Sequence, residues 1–261
     1  MLKIMIKTSY NPIDEKMEKY ILHKSINKYF PYIKLTEKQQ IFFNEYIKKN
    51  SKYKITYDMI ENIKGAYIKQ EIIFNHHNIF KNLDEIIKLY KLDYDIYILS
   101  MIYNYPPLIL YKLINIKNEE NNNIANLIDD YSVVDEKKQL ENANNFELEI
   151  NKLLTKHNIL FQTQEELQIE QIKKFGYPIS TPDFLIKSEL KYNNKIIKWI
   201  DAKNFYGTNT KFLKKKIKKQ IEKYIKNYGY GCIIFKHGYT KELQDYFNQN
   251  VLMLHINYIN L

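Results

Sequence analysis

Apolar residues over the first 116 positions recur at three- and four-residue spacing, the period of helices with one buried face. Glu18–Ile26 leads into Tyr29-Phe30-Pro31, where proline closes the segment. Thr36-Glu37-Lys38-Gln39 has the form of a capping box and opens a helix over Gln39–Lys48. Ile60, Ile63, Tyr67 and Ile68 set the stripe of a helix within Tyr57–Phe74. Leu83–Tyr90 and Ile96–Tyr103, separated at Lys91–Asp95, predict a helix-turn-helix pair. Pro106-Pro107 then starts a helix over Leu108–Ile116, with proline in the first turn, where its missing N–H is not needed.

Residues 117–145 turn toward asparagine and acid, with room for a short helix at Ile124–Ile128, and mark a boundary. Beyond them the pattern alternates. Phe146–Lys156 reads as a helix and Ile159–Phe161 as a short strand, and Thr163–Glu166 caps a small helix. Phe184–Ile186 and Ile196–Ala202 read as strands joined through Asn193-Asn194, a pair that tolerates the positive φ of a hairpin turn. Phe212–Tyr228 is helical, and Cys232–Phe235 and Val251–His255 are further strands. The order α-β-β-β-α-β predicts an α/β domain over 146–261, a mixed sheet flanked by helices. An all-α domain over 1–116 and a linker over 117–145 precede it.

The formal charge of +10 invites a nucleic-acid reading, but all 40 basic positions are lysine. Heavy use of lysine, asparagine, isoleucine and tyrosine follows from AT-rich codons whatever the function, so only lysine clustering discriminates. Without arginine, phosphates would meet flexible point charges rather than bidentate forks. The single cysteine, Cys232, excludes an intramolecular disulfide, fits a reducing compartment, and reads as a buried strand residue. No run of eighteen uncharged apolar residues and no signal-peptide pattern occurs, so no membrane association is expected.

Chemistry concentrates in the second half. Asp201 and Lys203 end an apolar strand two residues apart, so both side chains emerge on one face. Asp183, in the chain's one Pro-Asp dipeptide, begins the neighbouring strand. Two carboxylates at one sheet end make a hard-oxygen site suited to Mg²⁺, and an adjacent lysine could orient water and offset phosphate charge. A strand-end aspartate with a surface lysine partner is the bland alternative. Glu147 borders the apolar face of its helix and aims at the metal or stands solvated at the helix edge. Gln220, on the inward stripe of Leu213, Ile217 and Tyr224, needs a partner that the site could supply. Lys211, Lys214, Lys215, Lys218 and Lys219 lie in the densest basic stretch, a solvated face or a phosphate track. Its KKKIKK run also has the form of a nuclear-import signal.

The strings TPDFLI, IIKWIDAKNFYG and QIEKYIKNYGYGCIIFKHGY, in this order, resemble the TPD-motif family of the PD-(D/E)XK nuclease superfamily, whose animal member is the codanin-interacting nuclease. The similarity is strongest over residues 146–243. The resemblance implies helix-turn-helix modules fused to a restriction-endonuclease-like domain. It also implies a catalytic set of Glu147, Asp183, Asp201 and Lys203, with Gln220 and Tyr224 as the Q-xxx-Y pair of exonuclease-like branches. Nuclear localisation and a codanin-like partner follow in the same way. The expected function is Mg²⁺- or Mn²⁺-dependent hydrolysis of phosphodiester bonds in DNA, branched and single-stranded forms included. The cation would be held by Asp183, Asp201, the Ala202 carbonyl and Glu147. A nucleic-acid-binding or scaffold protein that keeps a nuclease fold but turns over little is the alternative, and an adaptor working through its N-terminal helices is a third.

Overall fold

The computed structural model describes residues 4–27, 31–114, 129 and 136–261. Its contacts divide the chain into two units, one of Met1–Glu18, Asn50–Ile55 and Lys137–Leu261, the other of Lys19–Lys49 and Thr56–Glu136. No helix among the described residues is long and apolar enough to cross a membrane.

The second of these units is helical. Helix α1 (Glu15–Ser25) enters it, and α2 (Glu37–Lys49), α3 (Tyr57–Lys81), α4 (Leu83–Lys91), α5 (Ile96–Tyr103) and α6 (Pro107–Ile114) follow. Their ends are chemically marked. The side chains of Thr36 and Gln39 close the start of α2, and the Met59 N–H donates to Thr56 Oγ1 at 3.2 Å. Asp95 caps α5 through the Tyr97 N–H at 2.7 Å, and Asn104, at φ 46°, ends it in the left-handed region. Ile86, Leu99, Leu110 and Tyr111 are fully buried where α4, α5 and α6 meet. The helix expected at Ile124–Ile128 and most of the 117–145 segment lie outside the described residues.

The other unit is mixed α/β. Helix α7 (Glu136–Lys156), strand β3 (Phe161–Thr163) and helix α8 (Gln164–Phe175) lead to β4 (Phe184–Ile186), β5 (Leu190–Tyr192), β6 (Lys195–Ile196) and β7 (Trp199–Lys203). Helix α9 (Lys211–Tyr228), β8 (Gly231–Phe235), α10 (Lys241–Phe247), β9 (Val251–His255) and β10 (Ile259–Asn260) complete it. The main sheet has the order β3-β4-β7-β8-β9. Its first three strands pair antiparallel and its last three parallel. Alternate residues along β8 face opposite layers, as a period of two requires. Cys232 and Ile234 pack with Phe146, Ile150 and Leu154 of α7, while Ile233 and Phe235 pack with Leu213, Ile217 and Ile221 of α9.

Several elements differ from their sequence reading. The chain start is not helical: β1 (Ile4–Met5) pairs parallel with β5, and β2 (Lys7–Thr8) antiparallel with β10. Strands of two residues paired across almost the whole chain leave no local period to read. The strand expected over Ile196–Ala202 breaks after Ile196, and Asn193 and Asn194 (φ 44° and 66°) join β5 to β6 instead of β4 to β7. Helix α7 begins ten residues before Phe146, through a polar stretch without an apolar stripe. Helix α10 was not expected.

One close approach is set by glycine. A Cβ at Gly231 would lie 2.1–2.5 Å from the ring of Trp199, which is fully buried and donates through Nε1 to the Gly229 carbonyl at 2.8 Å. Gly231→Ala is therefore expected to destabilise the α/β unit by about 2–3 kcal/mol, an overpacking cost measurable by urea unfolding.

Candidate active site

The register of β4 against β7 sets the site. Phe184 lies opposite Ile200 and Leu185 opposite Trp199, so one step further brings Asp183 beside the Asp201–Ala202 pair. The Ala202 N–H donates to Asp183 Oδ2 at 2.6 Å. Asp201 is 1% exposed. Its Oδ1 accepts from Gln220 Nε2 at 2.8 Å, and its Oδ2 has no aligned hydrogen bond but meets the Lys203 ammonium as an ion pair. Lys203 Nζ also donates to Gln220 Oε1 at 2.9 Å. Gln220 thus holds the carboxylate with one end of its amide and the ammonium with the other. Its nitrogen donates further to the Tyr224 hydroxyl at 3.0 Å, which reaches the Thr181 carbonyl at 3.4 Å. The inward glutamine finds its partners in the site itself.

The segment before Asp183 is fastened from two helices. Gln171 of α8 accepts from the Ile179 and Ser180 N–H groups at 2.6 and 3.0 Å and donates to the Ser180 carbonyl at 2.7 Å. Tyr228 of α9 donates to the same carbonyl, and Gln164 donates to the Thr181 carbonyl at 3.3 Å. These clamps pass unnoticed in a motif search, although Gln171 follows buried Leu167 by four residues on one inward stripe, the pattern that exposes Gln220.

Burial, and then the charge of Asp201, raises the proton affinity of Asp183, pushing it up to about 8, while the Ala202 N–H and Lys203 oppose the rise. Burial also raises Asp201, with Lys203 and then Lys216 of α9 pulling it back. Half-buried Glu147 of α7 is raised by desolvation and then by Asp201. Three carboxylates therefore sense one another, and an ammonium stands among them. Tyr224 is raised by burial first and by Asp201 next, so it stays a neutral donor.

No three His, Cys, Asp or Glu side chains form a ready metal cluster among the described residues. Mg²⁺ needs less, because it uses one or two carboxylates and keeps water for its other positions. The chemistry of the donor set fits such a cation: Asp183 and Asp201 are two hard-oxygen carboxylates that repel each other when ionised, a repulsion a bound cation relieves. Of the predicted lysines, Lys211, Lys215, Lys218 and Lys219 are exposed on the outer face of α9. Lys214 is half-buried with its ammonium 5.3 Å from the Tyr246 ring centre, and Lys218 lies 3.8 Å from Glu222. The lysine of α9 that most affects Asp201 is Lys216, in the same basic stretch.

Comparison with known proteins adds a family without an activity. No solved structure matches the chain. The uncharacterized protein L539 of Acanthamoeba polyphaga mimivirus is 28% identical over 254 residues, covering 88% of this chain and 86% of its own. Residues 116–256, more than half of the chain, match the family described as protein of unknown function TPD sequence-motif. Its Thr181-Pro182-Asp183 tripeptide, at the start of β4, stands at the centre of the carboxylate cluster. The chain belongs to this TPD sequence-motif family.

Proposed function

We propose that the protein is a metal-dependent nuclease of the PD-(D/E)XK type, with a restriction-endonuclease-like core, that hydrolyses phosphodiester bonds in DNA. The observation that carries this reading is the meeting of Asp183 and Asp201 from adjacent strands beside Lys203, with Gln220 bridging acid and amine. Asp183, Asp201 and the Ala202 carbonyl would hold Mg²⁺ or Mn²⁺, with Glu147 on the acidic side. The bound cation supplies Lewis-acid charge at the phosphate. Lys203, as an ammonium, has no lone pair with which to take a proton. Its role is to orient the attacking water and to offset charge on the phosphate. The proton acceptor must then be a carboxylate, and Glu147, half-buried and lining the open cleft beside Asp183, is the one suited to it. Water attacks phosphorus, its proton passes to Glu147, and the bond to the leaving oxygen breaks as that oxygen takes a proton from solvent. The exposed lysines of α9 would track the backbone. Nuclear localisation and a codanin-like partner belong to the same reading through the family resemblance.

One observation favours a second reading, a binding protein with little turnover: both Asp201 oxygens are already engaged by Gln220 and Lys203. Titrating Mg²⁺ over the wild type with labelled single-stranded, duplex and branched DNA separates the two. Product in any lane supports the nuclease, and retained binding without product across the panel supports the alternative. Within the nuclease reading Gln220 positions rather than reacts. Gln220→Ala is expected to slow single-turnover cleavage by about 10–100-fold while the fold persists. Unchanged cleavage would show that Lys203 needs no such support.

A further inference from the structure

Away from the cation proposed at Asp183, the cleft beside the carboxylates offers no described charge that would hold a phosphate. It encloses about 460 Å³, within the range of pockets that take one small ligand. Glu147, Glu165 and Asp183 line it, and no lysine does among the described residues. The basic groups of the site are Lys203 and the lysines of α9. A strand whose scissile phosphate sits at the proposed cation, between Asp183 and Lys203, would therefore turn a neutral part toward the α7 wall of the cleft.

The α7 wall suits such a part. Leu140, Asn144, Leu148 and Asn151 fall at zero, four, eight and eleven residues, one stripe along the helix, and all four line the cleft. Leu140 and Leu148 are 64% and 54% exposed, large apolar surfaces on the wall of the cleft. The two asparagines offer both donors and acceptors, so their amides can meet the edge of any nucleobase, while the leucines cover its faces. Hydrogen-bonding at the edge, apolar at the faces and uncharged describes a base and not a phosphate.

We propose that this cleft receives the base of one unpaired nucleotide next to the scissile phosphate, so that the substrate is single-stranded, frayed or branched at that position. A base inside a duplex has its edge paired and its faces stacked. Withdrawing it costs unpairing and unstacking energy that an unpaired base does not incur. This inference rests on the nuclease reading for the position of the phosphate, but its test does not read cleavage.

The test is binding, without divalent cation, of a single strand carrying 2-aminopurine at one position at a time, against a blunt duplex of the same length. The wild type is expected to change the fluorescence of an unpaired position. Ala143→Phe fills the cleft from α7, and it should abolish that change and weaken the single strand by about tenfold with little effect on the duplex. Should Ala143→Phe fail to fold by thermal melting, Asn144→Ala combined with Asn151→Ala decides, with the same selective loss expected. Equal loss of both substrates, wild-type single-strand binding by the variants, or no single-strand binding by the wild type overturns the proposal. A wild type that binds in the expected way yet yields no product in Mg²⁺ counts against the nuclease reading alone.

Discussion

Asp201→Asn should lower Mg²⁺-dependent cleavage by roughly 10^3-fold or more while leaving the protein close to wild-type stability, relief of the buried charge being offset by loss of the Lys203 ion pair. The two halves of this expectation have one cause. Asp201 is fully buried, and burial raises its affinity for a proton above that of an ordinary carboxylate. At neutral pH its ionised form is thus a burden on folding that the Lys203 contact only partly offsets. An asparagine keeps the shape, and its oxygen still accepts from Gln220, but its amide nitrogen then faces the Lys203 ammonium, and it carries no charge for a cation and none to repel Asp183. Asp201→Ala should lose activity equally yet melt lower, because it opens a cavity and leaves the Gln220 amide without its acceptor. Single-turnover cleavage and thermal melting, both at pH 8, give the two readouts. Wild-type cleavage by either variant would falsify the assignment of Asp201. A melting temperature several degrees lower for the asparagine variant would instead make the ion pair a structural element.

How far the sequence could be read follows from which interactions are local. The helices of the first half carry their own period and caps, so Thr36, Asp95 and Pro107 mark real boundaries. The strand ending in Asp201-Ala202-Lys203 was legible because an apolar run stops at charge. Its partner was legible as a strand but not in its connection. Asn193-Asn194 signals a turn without saying which strands it joins, and it closes the small β5–β6 ribbon rather than linking β4 to β7. The pairing of Asp183 with β7 was therefore expected for the wrong turn and arises from sheet register. Residues 4–8 pair with strands more than 180 residues away, which no window of local sequence contains. Within the site, Gln220 was found because an amide on an inward stripe demands a partner. Gln171 satisfies the same rule but lies far from any catalytic motif. Lys216 could not be told from its neighbours, because each lysine in KKKIKK looks alike until the helix is rotated against the sheet.

In the absence of divalent cations, stability should fall as pH rises from about 6.5 to 8, and Mg²⁺ should restore it at pH 8 but not at pH 5. Asp183 sits at about 8 in the folded protein against 3.8 ordinarily, so between those values the folded state holds a proton that the unfolded chain has released. Its contribution is complete below pH 4 and is lost as pH climbs through 8. Glu147 and Asp201 are raised as well and act in the same direction. His255 opposes them at lower pH. Burial first, then His237, depresses it from 6.5 to about 4, and Tyr10 and Tyr258 pack on its ring at 4.7 and 4.8 Å. Between pH 4 and 6.5 the unfolded chain binds that histidine proton, so stability gains with pH there and masks the carboxylate loss. Above 6.5 the histidine is neutral in both states and only the carboxylates act. Over that interval the loss amounts to about 2 kcal/mol, or roughly 4–8 °C in melting temperature for a chain of this size. Asp183→Asn should flatten the curve above pH 6.5 and make stability rise with pH between 4 and 6.5, where the histidine gain is no longer offset by Asp183. Mg²⁺ at 100 times its dissociation constant adds about 2.7 kcal/mol, but only where the carboxylates are free to ionise. Thermal melts at pH 5, 6.5 and 8, in chelator and in Mg²⁺, test each part. Stability rising from pH 6.5 to 8 in chelator would remove the shared proton. The expected fall without any response to Mg²⁺ would leave a strained acidic pair that binds no cation, and with it a protein that does not cut.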